Sequence, residues 1–100
     1  MKGDKEIGNV AREHLTGKML EEQLQYYSSS GEFQWRNSKD PYSEAGTRTN
    51  GGIIITLLGT RYKAEDLAWF YTYGHWPEER LVHIDGDNLN NAIDNLGYPA

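Results

Sequence analysis

The stretch LVHIDGDNLNNAIDNL, Leu81 to Leu96, decides how the rest of the chain is read. Arg80 to Ile84 has the length and apolar content of a short strand, and Asp85-Gly86-Asp87-Asn88 is turn chemistry. Asn90 to Leu96 predicts a short helix with Asn90 as its cap. The unit sets one imidazole, His83, beside a run of amide and carboxylate side chains. That is the chemistry of a site that moves protons or holds a hard cation. Yet the residue directly before the histidine is Val82, which has no lone pair to offer.

Working back from this unit, AEDLAWFYTYG places Ala64, Leu67, Ala68 and Tyr71 at i, i+3, i+4 and i+7, one face of a helix. Gly74 stands where a C-terminal glycine belongs, and Pro77 cannot extend the helix. Trp69, Phe70 and Tyr73 widen the apolar face and read as core. Before it, IIITLLGTRYK predicts a hairpin, with Gly59 supplying the positive φ of a tight turn. Residues 37 to 52 read as loop, punctuated by Pro41, Gly46 and Gly51-Gly52. YYSSSGEFQWR reads as strand, turn and strand about Gly31. Thr16 caps a helix expected over residues 17 to 25, with Met19, Leu20 and Leu24 as its apolar stripe. Residues 1–15 read as a polar N-terminal arm, either frayed and flexible or a short helix, and residues 16–100 as one domain. The fold class expected is α+β: a small N-terminal helix, antiparallel β-hairpins, a central helix and a C-terminal strand–loop–helix unit.

Composition narrows the function. The 100 residues contain no cysteine, so disulfides and thiolate metal sites are excluded. His14, His75 and His83 show no tight ligand spacing, and no structural metal is expected. No apolar run reaches the roughly 18–20 residues of a membrane span, and MKGDKEIGNV lacks a signal peptide's apolar segment. A soluble, cytoplasmic protein is expected. Net charge is −5, and residues 61–100 hold Arg61, Lys63 and Arg80 against seven carboxylates. Nucleic-acid readers draw most of their affinity from cations that neutralise phosphates, so this half of the chain is a poor phosphate surface.

Two blocks, YKAEDLAWFYTYGHWP and VHIDGDNLNNAIDNL, together with the hairpin YYSSSGEFQWR, resemble the phage-type HNH endonucleases, in particular the small HNH modules of phage homing enzymes. The resemblance covers roughly 80 residues. It implies that the C-terminal unit is ββα-metal-like, with His83 as general base, Asn91 as the residue that steadies the loop and Asn95 as a metal ligand. The departures fall on the chemistry. The metal-binding Asp position is Val82. The family's His-Arg before LAW is Glu65-Asp66. Two Arg positions are Ala92 and Gly97, and the Asp before the central Asn is Asn90. Loss of a metal ligand costs roughly a thousandfold or more in turnover, and each lost cation removes about one counterion released on DNA binding.

The resemblance and its departures imply a catalytically inactive HNH-like phage protein, with His83, Asn91 and Asn95 as remnants and no cofactor. The charge reversal suits a protein partner with a basic nucleic-acid groove, namely a host defence protein such as a CRISPR-Cas or restriction subunit. Direct nucleic-acid or membrane binding is not expected. The expected contacts are Glu65, Asp66, Glu78, Glu79, Asp85, Asp87 and Asp94, with Trp76 and Tyr98 as aromatic anchors. The alternative is an active HNH DNA endonuclease using Mg²⁺ or Mn²⁺, with Asp85 or Glu65 standing in for the missing carboxylate.

Overall fold

Thr16 opens the first element as the sequence predicts: its hydroxyl accepts from the Met19 N–H at 3.1 Å, capping helix α1, Gly17–Gln23. The computed structural model describes residues 14–40 and 43–100, so the arm expected over residues 1–15 lies outside the described residues up to position 13. The chain leaves α1 directly into strand β1, Leu24–Tyr27, which pairs antiparallel with β2, Glu32–Trp35. Leu20, Leu24, Tyr26 and Phe33 bury one face of this helix–hairpin unit.

A three-stranded antiparallel sheet follows, in the order β3 (Thr47–Thr49), β4 (Gly52–Leu57), β5 (Thr60–Lys63). Strand β3 lies inside the segment read as loop. All three of its residues are exposed, so it carries no apolar alternation, and its strand conformation comes from pairing with β4. The β4–β5 hairpin forms where expected. Its two-residue loop has Leu58 at φ 51° and Gly59 at φ 84°, two successive left-handed residues whose twist suits a tight hairpin. Ile55 and Leu57 point from β4 into the core, against Leu67 and Ala68 of helix α2, Ala64–Tyr73. Gly74, at φ 79°, terminates α2 with its N–H on the Phe70 carbonyl at 2.8 Å. The architecture is α+β, with two helices and small antiparallel sheets.

The C-terminal unit departs from expectation. Strand β6, Val82–His83, pairs antiparallel with β7, Leu96–Gly97, and the helix predicted between them is a single 3-10 turn, Ile93–Asn95. Asn90 caps no helix. Its side-chain oxygen accepts from the Ala92 N–H at 3.2 Å, a local turn that competes with helical backbone bonding.

The first hairpin and this unit are held together across the fold. The Tyr26 hydroxyl donates to the Asn91 carbonyl at 2.6 Å, and the Ile93 N–H donates to the Ser28 carbonyl at 3.1 Å. Gly31, at φ 81°, fits the backbone so closely that a Cβ there would lie 2.2 Å from both Ala92 N and Asn91 C. Gly31→Ala therefore combines left-handed strain with a backbone clash. It is expected to cost about 3 kcal/mol or more and to lower the thermal midpoint sharply, measured by circular dichroism.

Candidate functional site

His83 reaches its position because β6 is clamped on β7, with the Ile84 N–H donating to the Asn95 carbonyl at 2.8 Å to extend the pairing. Its Nε2 lies 2.8 Å from Asn91 Oδ1. An amide oxygen only accepts, so in this contact Nε2 is the donor. Asn91 is 0% exposed, and its Nδ2 is buried without a partner among the described residues. The side chain implied to steady the loop thus orients the imidazole instead.

Asn95 holds the loop. Its Oδ1 accepts from the Asp85 N–H at 2.9 Å, while its Nδ2 donates to Asp85 Oδ1 at 2.9 Å and to the Asn90 carbonyl at 2.8 Å. Asp85 closes the network: Oδ2 accepts from Asn90 Nδ2 at 2.9 Å, and Oδ1 also accepts from the Asp87 N–H at 2.8 Å. The Asn90 amide, the Asp87 N–H and the Asn95 amide together hold the Asp85 carboxyl below the usual aspartate range. Asp87 Oδ1 accepts from the Leu89 N–H at 3.0 Å, and Asn88 Nδ2 donates to the Asn50 carbonyl at 2.9 Å, tying the loop to the β3–β4 turn.

The oxygens near His83 are largely engaged in hydrogen bonds within the loop. Val82 offers none, the Asn95 oxygen is bonded to a backbone N–H, the Asn91 oxygen faces the His83 ring, and both Asp85 oxygens accept from donors inside the loop. Among the described residues no group of three or more histidine or carboxylate side chains is placed to hold a metal ion. In this structure the Asn95 side chain holds the loop, bonded to Asp85 and to the Asn90 carbonyl.

Glu65 and Asp66 open α2 and are each only 7% exposed. They belong to the interior, and the surface-contact role expected of them does not fit that burial. Glu65 Oε1 is buried without a partner and would lie 3.9 Å from a Cβ at Gly52, in a gap that also meets the Asn88 carbonyl. Burial pushes the Glu65 carboxyl up. Its own backbone N–H, His83 and Lys63 pull against that shift, and Asp66 adds to it. Glu78, Glu79, Asp85, Asp87 and Asp94 are exposed. Trp76 is not free to anchor a partner, because it stacks on Tyr62 at 5.7 Å and packs on Phe70 at 4.4 Å. Tyr98 packs on Trp69 at 5.0 Å and accepts from the Glu78 N–H at 3.0 Å, with its ring partly exposed.

Sequence reasoning missed Tyr26, which fixes the Asn91 backbone 65 residues away. Its position on the inward face of β1 marks it as core, and no local signal announces where its hydroxyl ends. The Asp85–Asn90 contact was also missed, although Asx-turn chemistry in DGDNLNN pointed to it.

Residues 62–98 match a family model described as HNH endonuclease. No curated protein and no solved structure matches the chain significantly. The matched stretch runs from β5 to just past β7 and contains His83, Asn91 and Asn95.

Two outcomes test the site. Asn95→Ala removes three hydrogen bonds and is expected to cost about 2 kcal/mol or more in denaturant unfolding, with faster exchange of the Asp85 amide proton. Glu65, with its pKa raised by folding, favours the fold when protonated. The ionised form penalises it increasingly as pH rises above the unfolded value of about 4.3. Glu65→Gln should therefore raise the thermal midpoint at pH 7–8 relative to wild type, and the difference should close as pH falls to about 4.

Proposed function

We propose that this chain is an HNH-type module that does not cleave nucleic acid, and that it binds and inhibits a nucleic-acid-binding defence protein of its host cell, of CRISPR-Cas or restriction type. The observation that carries this reading is the commitment of the oxygens around His83. With Val82 beside it and Asn95 and Asp85 bonded to each other, the imidazole has no metal-bound phosphate to serve. A lone histidine base supplies only part of the rate that metal-assisted hydrolysis needs.

Charge supports the partner class. Glu78, Glu79, Asp85, Asp87 and Asp94 are all exposed and lie within twenty residues of sequence, complementary to a groove lined by Lys and Arg. The interior placement of Glu65 and Asp66 removes two of the expected contacts and leaves these five. A second reading, an active metal-dependent nuclease, draws on the family match and on the His83–Asn91 pair, which orients the imidazole.

Plasmid DNA incubated with the protein and Mg²⁺ or Mn²⁺ should remain supercoiled. Metal-dependent nicking that disappears in His83→Ala would establish the second reading instead. In the same preparation, a charge-reversed variant carrying Lys at positions 78, 79 and 87 should lose capture of the defence protein, and the wild-type interaction should weaken steeply with salt.

A further inference from the structure

The β3–β4 turn carries a reactive dipeptide. Thr49 pairs with Gly52, so Asn50 and Gly51 form a two-residue loop between the strands. Both are exposed, and the Asn50 side-chain amide makes no hydrogen bond among the described residues. This turn requires glycine at position 52 but not at 51. Gly52 lies at φ 120°, and a Cβ there would come within 3.2 Å of the Asn88 carbonyl oxygen. Gly51 takes no positive φ, and a Cβ there would meet only Thr49 Oγ1, at 3.9 Å. What the missing side chain at Gly51 does provide is open access to its own backbone nitrogen. Among the described residues that N–H is held by the Thr49 hydroxyl alone, at 3.2 Å.

The Gly51 nitrogen closes a five-membered ring with the carbonyl C, Cα, Cβ and Cγ of Asn50. Hydroxide takes the Gly51 amide proton, and the nitrogen attacks Asn50 Cγ. The N–Cγ bond forms, the bond from Cγ to Nδ2 breaks, and Nδ2 leaves as ammonia after taking a proton from water. Water then opens the imide. Addition at Cγ breaks the new N–Cγ bond and gives aspartate. Addition at the backbone carbonyl breaks the original peptide C–N bond and gives isoaspartate, whose main chain runs through Cβ and Cγ. One water is consumed and one ammonia released, with no change of oxidation state. The other asparagines among the described residues lack part of this arrangement. The side-chain amides of Asn88, Asn90, Asn91 and Asn95 are all engaged in hydrogen bonds. Asn37 is exposed but precedes Ser38, whose Cβ crowds the attacking nitrogen.

We propose that Asn50 is a modification site, converted without an enzyme to aspartate and isoaspartate by attack of the Gly51 nitrogen, and that the isoaspartate form releases the 85–90 loop from the sheet. The tie at stake is the bond from Asn88 Nδ2 to the Asn50 carbonyl, at 2.9 Å. In isoaspartate that carbonyl leaves the main chain and becomes a rotating carboxylate, while an extra carbon lengthens the turn. The two-residue loop then no longer fixes the acceptor where Asn88 meets it. Both products also place a negative charge at position 50. None of this depends on the class of partner the protein binds.

The test incubates the full chain at pH 9 and 37 °C and then digests it with trypsin. Cleavage after Arg48 and Arg61 isolates Asn50 in peptide 49–61, and cleavage after Arg36 and Lys39 isolates Asn37 in peptide 37–39. Peptide 49–61 should gain the mass of an amide exchanged for an acid and separate into two chromatographic species, with peptide 37–39 converting far more slowly. Gly51→Ala should slow the conversion by about tenfold, because a Cβ now shields the nitrogen. That variant meets no clash and no positive φ, so it keeps the fold. In ¹H–¹⁵N spectra the Asn88 side-chain NH₂ signals should move in the isoaspartate species. Asn50→Ala keeps the backbone carbonyl and has no amide to lose, so its Asn88 signals should be the same before and after incubation. An unchanged peptide 49–61, equal conversion at Asn37, or an undiminished rate in Gly51→Ala would overturn the site. Conversion that leaves the Asn88 signals in place would overturn the release of the loop.

Discussion

The hydrogen bond from the Tyr26 hydroxyl to the Asn91 carbonyl is the contact on which the rest of the C-terminal unit depends. It is 2.6 Å long, buried, and spans most of the chain. Left without that donor, the Asn91 carbonyl would be a buried acceptor with an uncompensated desolvation cost. Burial, together with the nearby Tyr73 and Asp94, keeps the Tyr26 phenol protonated well beyond the ordinary tyrosine range, so it remains a donor at any physiological pH. Gly31 allows the hairpin turn to sit directly on the same backbone, and the Ser28 carbonyl receives the Ile93 N–H beside it. The hairpin thus sets the backbone of Asn91, Asn91 sets the ring of His83, and His83 sits on a strand only two residues long that could not hold its own orientation.

Around that ring, polar groups satisfy one another. Asp85, Asn90 and Asn95 form a closed set in which every named oxygen and amide nitrogen has a partner inside the loop. Such a network gives the loop one conformation and stabilises it against opening. Of the three buried side-chain polar atoms without a partner among the described residues, one is Trp69 Nε1, and the other two, Glu65 Oε1 and Asn91 Nδ2, lie on residues that both interact with His83, the first through its charge and the second by hydrogen bond. The exposed chemistry is elsewhere, in the carboxylates of the 78–94 region.

Much of the local structure was legible in the sequence because it is set by short-range sterics. Thr16 caps α1, Gly31 and Gly59 take the positive φ their turns need, and Gly74 ends α2. The pattern Ala64, Leu67, Ala68, Tyr71 marked the inward face of α2, and the HNH-type blocks carried through to the family match over residues 62–98. Three readings failed for a common reason. Strand β3, the 3-10 turn in place of a helix, and the burial of Glu65 and Asp66 are each decided by what lies opposite in space: β4, the Asp85 network and the β3–β4 turn.

The sequence by itself determined the caps, the turns, the amphipathic face of α2 and the absence of a carboxylate at position 82, since these depend on a residue's own shape and chemistry and that of near neighbours. Only the tertiary structure decided which amide orients His83, which holds the loop, and which carboxylates reach the surface. Asn91 and Asn95 carry identical side chains four positions apart. What separates their roles is the direction each faces once Tyr26 and Gly31 have docked against the backbone, and no local pattern encodes a contact formed across 65 residues.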